Sequence, residues 1–145
     1  MRVLLIEDDH GLSRELGDFL EYVKGWTILR AYRPQEALEA LSESVNTIAV
    51  VVLDIMMPPD ETIDEKKSDY GQDTGILLLD KLEPKTKGIV PIVILSARQD
   101  LGYLKEQGRV QEYLQKTLTP EEIGESVLEC VETFRKLKTT GQRGA

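Results

Sequence analysis

Short continuous apolar runs alternate along the chain with segments in which apolar residues recur every three or four positions. The continuous runs predict strands at residues 3–6, 26–31, 48–53, 92–95 and 110–114. The periodic segments predict helices at residues 12–23, 34–41, 76–82, 101–107 and 120–134. Five strands that alternate with helices predict right-handed βαβ units and a parallel sheet covered on both faces. The last strand is short and partly polar, which is typical of a sheet edge.

Glycine and proline mark several of the predicted helix boundaries. Gly25 is expected to end the first helix, and Pro34 is well placed to open the second. The third helix is predicted to stop before Pro84, because a residue that precedes proline is disfavoured in the helical conformation. Thr119-Pro120-Glu121-Glu122 has the pattern of a capping box and predicts the start of the last helix.

Residues 59–74 interrupt this rhythm and predict a long loop. The stretch is rich in Pro, Asp, Glu and Lys and has no apolar period. Six acids and two lysines between positions 60 and 73 give it a net charge of −4, half of the −8 carried by the whole chain. Loops this long are uncommon in compact domains and are usually functional or mobile.

Composition narrows the class of protein. A length of 145 residues with 41% apolar residues fits one globular domain. The acidic balance argues against the phosphate contacts on which most nucleic-acid binding depends. Cys130 is the one cysteine, which excludes an internal disulfide and a cysteine metal cluster. The apolar run at the N-terminus is too short for a signal peptide or a membrane span, so we expect a cytoplasmic protein without membrane contact.

Polar residues follow the predicted strands where ligands bind to parallel sheets, at the carboxyl ends. These residues are Glu7, Asp8 and Asp9 after the first strand, Asp54 after the third, Ser96 after the fourth and Lys116 after the fifth. Carboxylates about 4 Å apart repel by about 4 kcal/mol per pair at an effective dielectric near 20, so the cluster needs a cation. Oxygen ligands favour Mg²⁺. Such a pocket suits phosphoryl transfer, with Asp54 as the nucleophile.

Each of these residues also has an ordinary structural interpretation. Asp8 and Asp9 could cap the following helix, Asp54 could form a turn, and Lys116 could be a solvated surface lysine. The order of these residues along the chain favours the functional interpretation over the structural one. Acids, then an aspartate, then a serine and then a lysine, each after its own strand, form a far more specific signal than any single member.

With these residues in place, the sequence resembles the receiver domains of bacterial two-component response regulators. The resemblance covers residues 1–137, and it is carried by the stretches 3–9, 51–58, 92–98 and 113–116. It implies a flavodoxin-like (βα)5 three-layer sandwich with strand order 2-1-3-4-5. Residues 138–145 are predicted to be a flexible tail.

The resemblance implies a phosphoacceptor and a metal site. Asp54 would accept a phosphoryl group from the phosphohistidine of a histidine kinase. Asp8 and Asp9 would hold Mg²⁺ or Mn²⁺, Asp9 more directly, and Asp54 and the backbone carbonyl of Met56 would complete the protein ligands.

The resemblance also implies a switch. Ser96 and Lys116 would bind phosphoryl oxygens, and Ala97 is small enough to leave access to the phosphate. Tyr113 occupies the position of an aromatic residue that turns inward on activation. A phosphoryl group adds a charge of about −1.5 to −2 and three acceptor oxygens. The face formed by the fourth helix, the fifth strand and the fifth helix would then change its affinity for a partner.

Two features depart from the family pattern. Thr117 stands where the family usually has proline after a cis peptide bond. A cis bond before another residue costs about 2.5–4 kcal/mol, so we expect a trans Lys116–Thr117 bond. The acidic loop at 59–74 is the second departure, because the usual connection from Pro58 to the glycine matched by Gly75 is much shorter. The loop is either a specificity element for a kinase or a tolerated solvated insertion.

The expected function is therefore that of a phosphoacceptor with self-catalysed transfer and autodephosphorylation, not an enzyme acting on another substrate. Expected partners are a sensor histidine kinase or phosphotransfer protein and a downstream protein target, without direct nucleic-acid binding. The chain would be a monomer or a phosphorylation-dependent dimer. It would act as a stand-alone receiver, as a phosphorelay intermediate or as an excised part of a longer regulator.

Three other interpretations remain open. A haloacid-dehalogenase-type phosphatase would need a second acid two residues after the nucleophile, where this chain has Met56. A flavodoxin-like flavin binder would need a phosphate loop after the first strand, where Asp8 and Asp9 would repel the phosphate. A degenerate receiver used only for binding would not need the full set of polar residues at the strand ends.

Overall fold

The computed structural model describes residues 1–140 and has a five-stranded parallel sheet between two layers of helices. The strands are β1 (Arg2–Ile6), β2 (Thr27–Ala31), β3 (Val50–Leu53), β4 (Ile92–Ser96) and β5 (Glu112–Gln115). The helices are α1 (His10–Tyr22), α2 (Pro34–Ser44), α3 (Thr74–Thr86), α4 (Gly102–Glu106) and α5 (Pro120–Thr139). The strand order is β2-β1-β3-β4-β5, so the flavodoxin-like (βα)5 prediction is confirmed.

The alternation of side chains along each strand divides the core into two layers. Leu4, Val51 and Ile94 face the side covered by α2, α3 and α4. Val3 and Val52 face the side covered by α1 and α5. All four residues of β3 are buried because the strand is central and covered on both faces, which explains its continuous apolar sequence.

The helix ends show where local sequence signals were sufficient. The predicted capping box of α5 is present, because the Thr119 hydroxyl accepts the Glu122 N–H at 3.1 Å and the Glu122 carboxylate accepts the Thr119 N–H at 2.9 Å. The prediction that α3 stops before Pro84 is wrong, since the helix continues to Thr86. The Thr86 hydroxyl donates to the Leu82 carbonyl at 3.0 Å, and the buried Thr86 anchors the extra turn.

The C-terminal boundary is also later than predicted. α5 extends to Thr139, so residues 138 and 139 of the predicted flexible tail are helical. Residues 141–145 of that tail lie outside the described residues. Within residues 1–140, no helix has the length and apolar character needed to cross a lipid bilayer.

The acidic loop is folded in the structure. Because α3 begins at Thr74, the loop comprises residues 59–73, which we call the acidic segment. Two of its side chains are buried, Ile63 at 6% exposure and Ser68 at 0%. The backbone N–H of Asp73 donates to the Ser68 carbonyl at 2.7 Å, which closes the end of the segment. The segment is therefore folded, and its two interpretations, a specificity element for a kinase or a tolerated insertion, both stay predictions.

Candidate functional site

Asp54 lies directly after the central strand and is 3% exposed. Its carboxylate accepts the Met56 N–H at 3.3 Å, and the Gly75 N–H donates to the Ile55 carbonyl at 2.8 Å. A Cβ atom on Gly75 would lie 2.6 Å from the Asp54 carbonyl oxygen, so only glycine lets α3 begin this close to the strand end. The start of α3 thus fixes the backbone on which the Asp54 side chain is carried.

Three carboxylates meet at this strand end. Glu7, Asp8 and Asp54 each place one carboxylate oxygen within 4.8 Å of the others. Glu7 and Asp54 are buried and Asp8 is half-buried. The sequence pattern brought Asp8 and Asp54 together correctly, whereas Glu7 was noted after the first strand but given no role.

The expectation that Asp9 is the more direct metal ligand is not supported by its position. Asp9 is the N-cap of α1, and its carboxylate accepts the Leu12 N–H at 3.0 Å. It lies outside the carboxylate group. The reason is local, because β1 ends at Ile6 and α1 begins at His10, so the two acids nearest the strand face the pocket and the third caps the helix. The short strand-to-helix connection was the signal that could have identified Glu7.

Lys116 joins two of these acids. Its Nζ lies 2.6 Å from Glu7 Oε1 and 3.1 Å from Asp54 Oδ2. Its backbone N–H donates to the Ser96 carbonyl at 3.1 Å, which places it beside the end of β4. Every peptide bond within residues 1–140 is trans, including the Lys116–Thr117 bond, as predicted. The lysine reaches Asp54 with Thr117 in place of the family's proline.

The electrostatics of the cluster follow from burial and crowding. Burial raises the pKa of Asp54, and the charge of Lys116 only partly offsets this effect. Burial and then repulsion from Asp54 raise the pKa of Glu7. Burial and the neighbouring Glu7 raise the pKa of Asp8. Burial alone would lower the pKa of Lys116, but the hydrogen bond to Glu7 and the charge of Asp54 raise it.

The donor set fits a hard divalent cation. Three carboxylates within reach of one point carry more negative charge than one lysine balances, and carboxylate oxygens are ligands that Mg²⁺ prefers. The Met56 backbone lies next to Asp54, through its N–H contact, but the role of its carbonyl as a ligand stays a prediction. A metal ion would supply the missing positive charge.

The predicted switch residues lie on the neighbouring strands. Ser96 ends β4 and is fully buried, and its Oγ accepts the Arg98 N–H at 3.2 Å. Ala97 follows it and is exposed. Tyr113 of β5 is half-buried, and its hydroxyl donates a hydrogen bond to the Arg98 carbonyl. Within residues 1–140, no hydrogen bond joins the Ser96 or Tyr113 side chain to the three carboxylates.

The cavity beside the carboxylates is small. A cavity of about 100 Å³ is bounded by Glu7, Asp54 and Lys116 on one side and by apolar residues of α1 and α5 on the other. Sites for drug-sized ligands and cofactors occupy about 300–1,000 Å³. This cavity therefore does not favour the flavin-binding alternative.

Comparisons with known proteins agree on one family. The sequence model of the response regulator receiver domain matches residues 3–128. A receiver domain protein from Clostridium thermocellum superposes with a TM-score of 0.75 at 23% identity, covering 94% of this chain and 98% of that one. A CheY-like receiver domain protein from Methanospirillum hungatei gives a TM-score of 0.72 at 18% identity, covering 93% and 96%. At these identities the two structures show the fold.

A curated relative matches a shorter stretch. The transcriptional regulatory protein CpxR of Escherichia coli is 33% identical over 67 residues, which is 46% of this chain. The matched stretch spans 27% of the length of CpxR.

Proposed function

The chain belongs to the family of response regulator receiver domains, and from this premise we propose that Asp54 accepts a phosphoryl group from the phosphohistidine of a histidine kinase or phosphotransfer protein. The observation that carries the proposal is the placement of Asp54. Its buried carboxylate meets two other carboxylates and lies 3.1 Å from the Lys116 ammonium. A carboxylate held in this way is oriented for attack on phosphorus.

The residues around Asp54 would each have a different role in phosphoryl transfer. A carboxylate oxygen of Asp54 would bond to phosphorus as the bond from phosphorus to the histidine nitrogen breaks. Lys116, already paired with Asp54, would balance negative charge on the phosphoryl oxygens. Mg²⁺ or Mn²⁺, held by Glu7, Asp8 and Asp54 with the Met56 carbonyl, would supply the further neutralisation that phosphoryl transfer requires.

The transfer would serve as a switch. The phosphoryl group offers acceptor oxygens to Ser96 and Lys116 only in the modified state, and this difference between states shifts a conformational equilibrium. Tyr113 contacts the loop after Ser96 through the Arg98 carbonyl, so movement there reaches β5. The face formed by α4, β5 and α5 would then bind a downstream protein, or a second copy of the chain, with changed affinity.

In this role the chain would be a cytoplasmic phosphoacceptor. It would catalyse both its own phosphorylation and its own dephosphorylation. The phosphatase alternative has less support, because Met56 stands where an acid would be needed for proton transfer. The similarity of part of the chain to a longer transcriptional regulator is compatible with a receiver that belongs to a larger protein or to a phosphorelay.

Intact-mass measurement after incubation with acetyl phosphate tests the proposal. The wild-type chain with Mg²⁺ should gain one phosphoryl group, whereas Asp54→Asn and a sample treated with a chelator should gain none. Asp69→Asn, which removes one exposed acid outside the site, should behave as the wild type. Labelling that persists in Asp54→Asn would place the acceptor elsewhere.

A further inference from the structure

Arg98 connects the loop after β4 with the acidic segment. Its Nη1 lies 2.6 Å from Asp73 Oδ1 and 2.8 Å from the Gln72 carbonyl oxygen. Its Nε and Nη2 lie 2.9 and 2.7 Å from the two carboxylate oxygens of Asp100. One guanidinium therefore links two segments that are far apart in sequence.

The backbone of the same residue contacts both predicted switch side chains. The Arg98 N–H donates to Ser96 Oγ at 3.2 Å, and the Arg98 carbonyl accepts the Tyr113 hydroxyl. Movement of Ser96 would therefore alter the position of Arg98. The side chain of Arg98 is 21% exposed, so its ion pairs are partly shielded from water.

Contacts other than those with Arg98 also hold the acidic segment in place. Asp60 accepts the Gln35 N–H at 2.8 Å and pairs with Arg33 at 3.3 Å, which ties the segment to the start of α2. The buried Ser68 accepts the Asp73 N–H through its carbonyl, which ties the other end to the segment's interior. Asp73 is thus a fixed point against which Arg98 is held.

We propose that Arg98 is a positioning residue through which the acidic segment restrains the loop of residues 97–100. The inference rests on the proposed function and adds a regulatory role for the segment that sets this chain apart from the usual family connection. Asp100 belongs to the same loop as Arg98, whereas Asp73 and Gln72 belong to the acidic segment. The contacts to Asp73 and Gln72 are therefore the ones that oppose movement of Ser96 toward a phosphoryl group.

The restraint lowers the population of the arrangement that binds the phosphoryl group. Hydrogen bonds between arginine and a carboxylate are among the stronger ones in proteins. If the active arrangement must break this contact, its population falls, and the apparent affinity for a phosphoryl mimic falls by the same factor. Weakening the contact should therefore strengthen binding of the mimic.

The test compares three substitutions that each replace one aspartate by asparagine. Asp73→Asn weakens the contact between the loop and the segment. Asp69→Asn makes the same charge change in the same segment at an exposed residue, and Asp100→Asn removes the pair within the loop. Hydrogen exchange at the Arg98 amide is measured by NMR without phosphodonor, and affinity for beryllium fluoride with Mg²⁺ is measured by titration.

Asp73→Asn should speed exchange at the Arg98 amide and lower the apparent Kd for beryllium fluoride, each by about fivefold, at the lower end of typical coupling between sites. Asp69→Asn should match the wild type in both measurements, and Asp100→Asn should leave the Kd within about twofold of it. Equal exchange and equal affinity in Asp73→Asn and Asp69→Asn would overturn the proposal. If the wild type binds no beryllium fluoride, the proposed function fails, while the exchange comparison still decides whether Arg98 restrains the loop.

Discussion

Two acidic regions of this molecule have opposite electrostatics. At the carboxyl ends of β1 and β3, Glu7, Asp8 and Asp54 converge. Burial raises the pKa of each, and a neighbouring acid raises the pKa of Glu7 and Asp8 further. In the acidic segment, backbone N–H groups donate hydrogen bonds to Asp60, and the Arg33 side chain donates to Glu61. The comparison shows that charge count alone does not identify a cation site. One lysine does not balance the three converging carboxylates, whereas Asp60 and Glu61 have hydrogen-bond donors of their own.

Hydrogen-bond partners explain why the pKa values of two acids in the acidic segment are lowered. Burial alone would raise the pKa of Asp60, but hydrogen bonds from Thr62 and from the Gln35 backbone lower it below its usual value. Hydrogen bonds from its own backbone N–H and from Arg33 lower the pKa of the exposed Glu61. The charged forms of Asp60 and Glu61 are therefore stabilised by their own partners, whereas the three carboxylates after β1 and β3 would be stabilised by a cation.

The largest expected effect comes from removing Lys116, which pairs with two acids of the site formed by Glu7, Asp8 and Asp54, here called the convergent site. Lys116→Met should slow phosphorylation of Asp54 by acetyl phosphate by about a hundredfold or more, because a preorganised positive charge is lost from the phosphoryl oxygens. Quench-and-mass kinetics would measure the rate. Lys105→Met, which removes a half-exposed lysine paired with Glu112, is the matched control and should retain the wild-type rate. Equal rates for the two variants would remove Lys116 from the mechanism.

Metal affinity should separate the acids that converge from the acid that caps α1. Asp8→Asn should weaken Mg²⁺ binding by about tenfold or more, because a ligand carboxylate loses its charge. Asp9→Asn should leave the affinity within about twofold, since asparagine caps a helix as well as aspartate does. Thermal unfolding with increasing Mg²⁺ measures both, because a ligand at 100 times its Kd stabilises the folded state by about 2.7 kcal/mol. A larger loss in Asp9→Asn would restore Asp9 as the principal ligand.

Loss of an acid in the acidic segment should destabilise the folded protein. Asp60→Asn should lower the free energy of unfolding at pH 7 by about 1 kcal/mol, since the charged acceptor of several hydrogen bonds becomes neutral. The folded-state pKa of Asp60 is lowered, so its contribution is present above its usual value of 3.8 and is lost as the pH falls through the folded-state pKa. Urea unfolding from pH 3 to pH 7 would reveal the trend. A loss that stays constant with pH would exclude a role for the charge.

At the convergent site without metal, loss of an acid should raise the free energy of unfolding at pH 7 instead of lowering it. The folded-state pKa of Asp54 is raised, so its protonated form favours folding, and stability is lost as the pH rises through the folded-state pKa. Asp54→Asn should therefore be more stable than the wild type at pH 7 in a chelator, and this gain should disappear as the pH falls below 3.8. The same urea experiment measures the difference. Destabilisation at pH 7 would show that the charged form of Asp54 is favoured in the fold.

The sequence was sufficient for the sheet and for the acceptor, because both depend on patterns that survive without coordinates. A fully buried central strand has a continuous apolar sequence, and the rule that parallel strands converge at their carboxyl ends brings Asp54 and Lys116 together. The capping box of α5 was equally readable, since it depends on residues three apart in sequence.

The errors came from features that depend on tertiary contacts or on the choice between adjacent residues. Three consecutive acids after β1 do not reveal which two face the pocket, and only the start of α1 at His10 assigns Asp9 to the cap. Pro84 remained inside α3 because a buried Thr86 anchors the turn that follows it. Arg98 was assigned no role from the sequence, since its contact with Asp73 joins segments that no local pattern connects.

Site mapping of the phosphorylated chain tests the central claim most directly. After incubation with acetyl phosphate and Mg²⁺, borohydride reduction would convert an aspartyl phosphate to homoserine, and peptide mass mapping would locate it. We expect homoserine at position 54 in the wild type and none at any position when a chelator is present. Modification of an acid in the segment of residues 59–73 instead, or equal modification of Asp54 without metal, would contradict the claim that the converging carboxylates form a metal-dependent acceptor site.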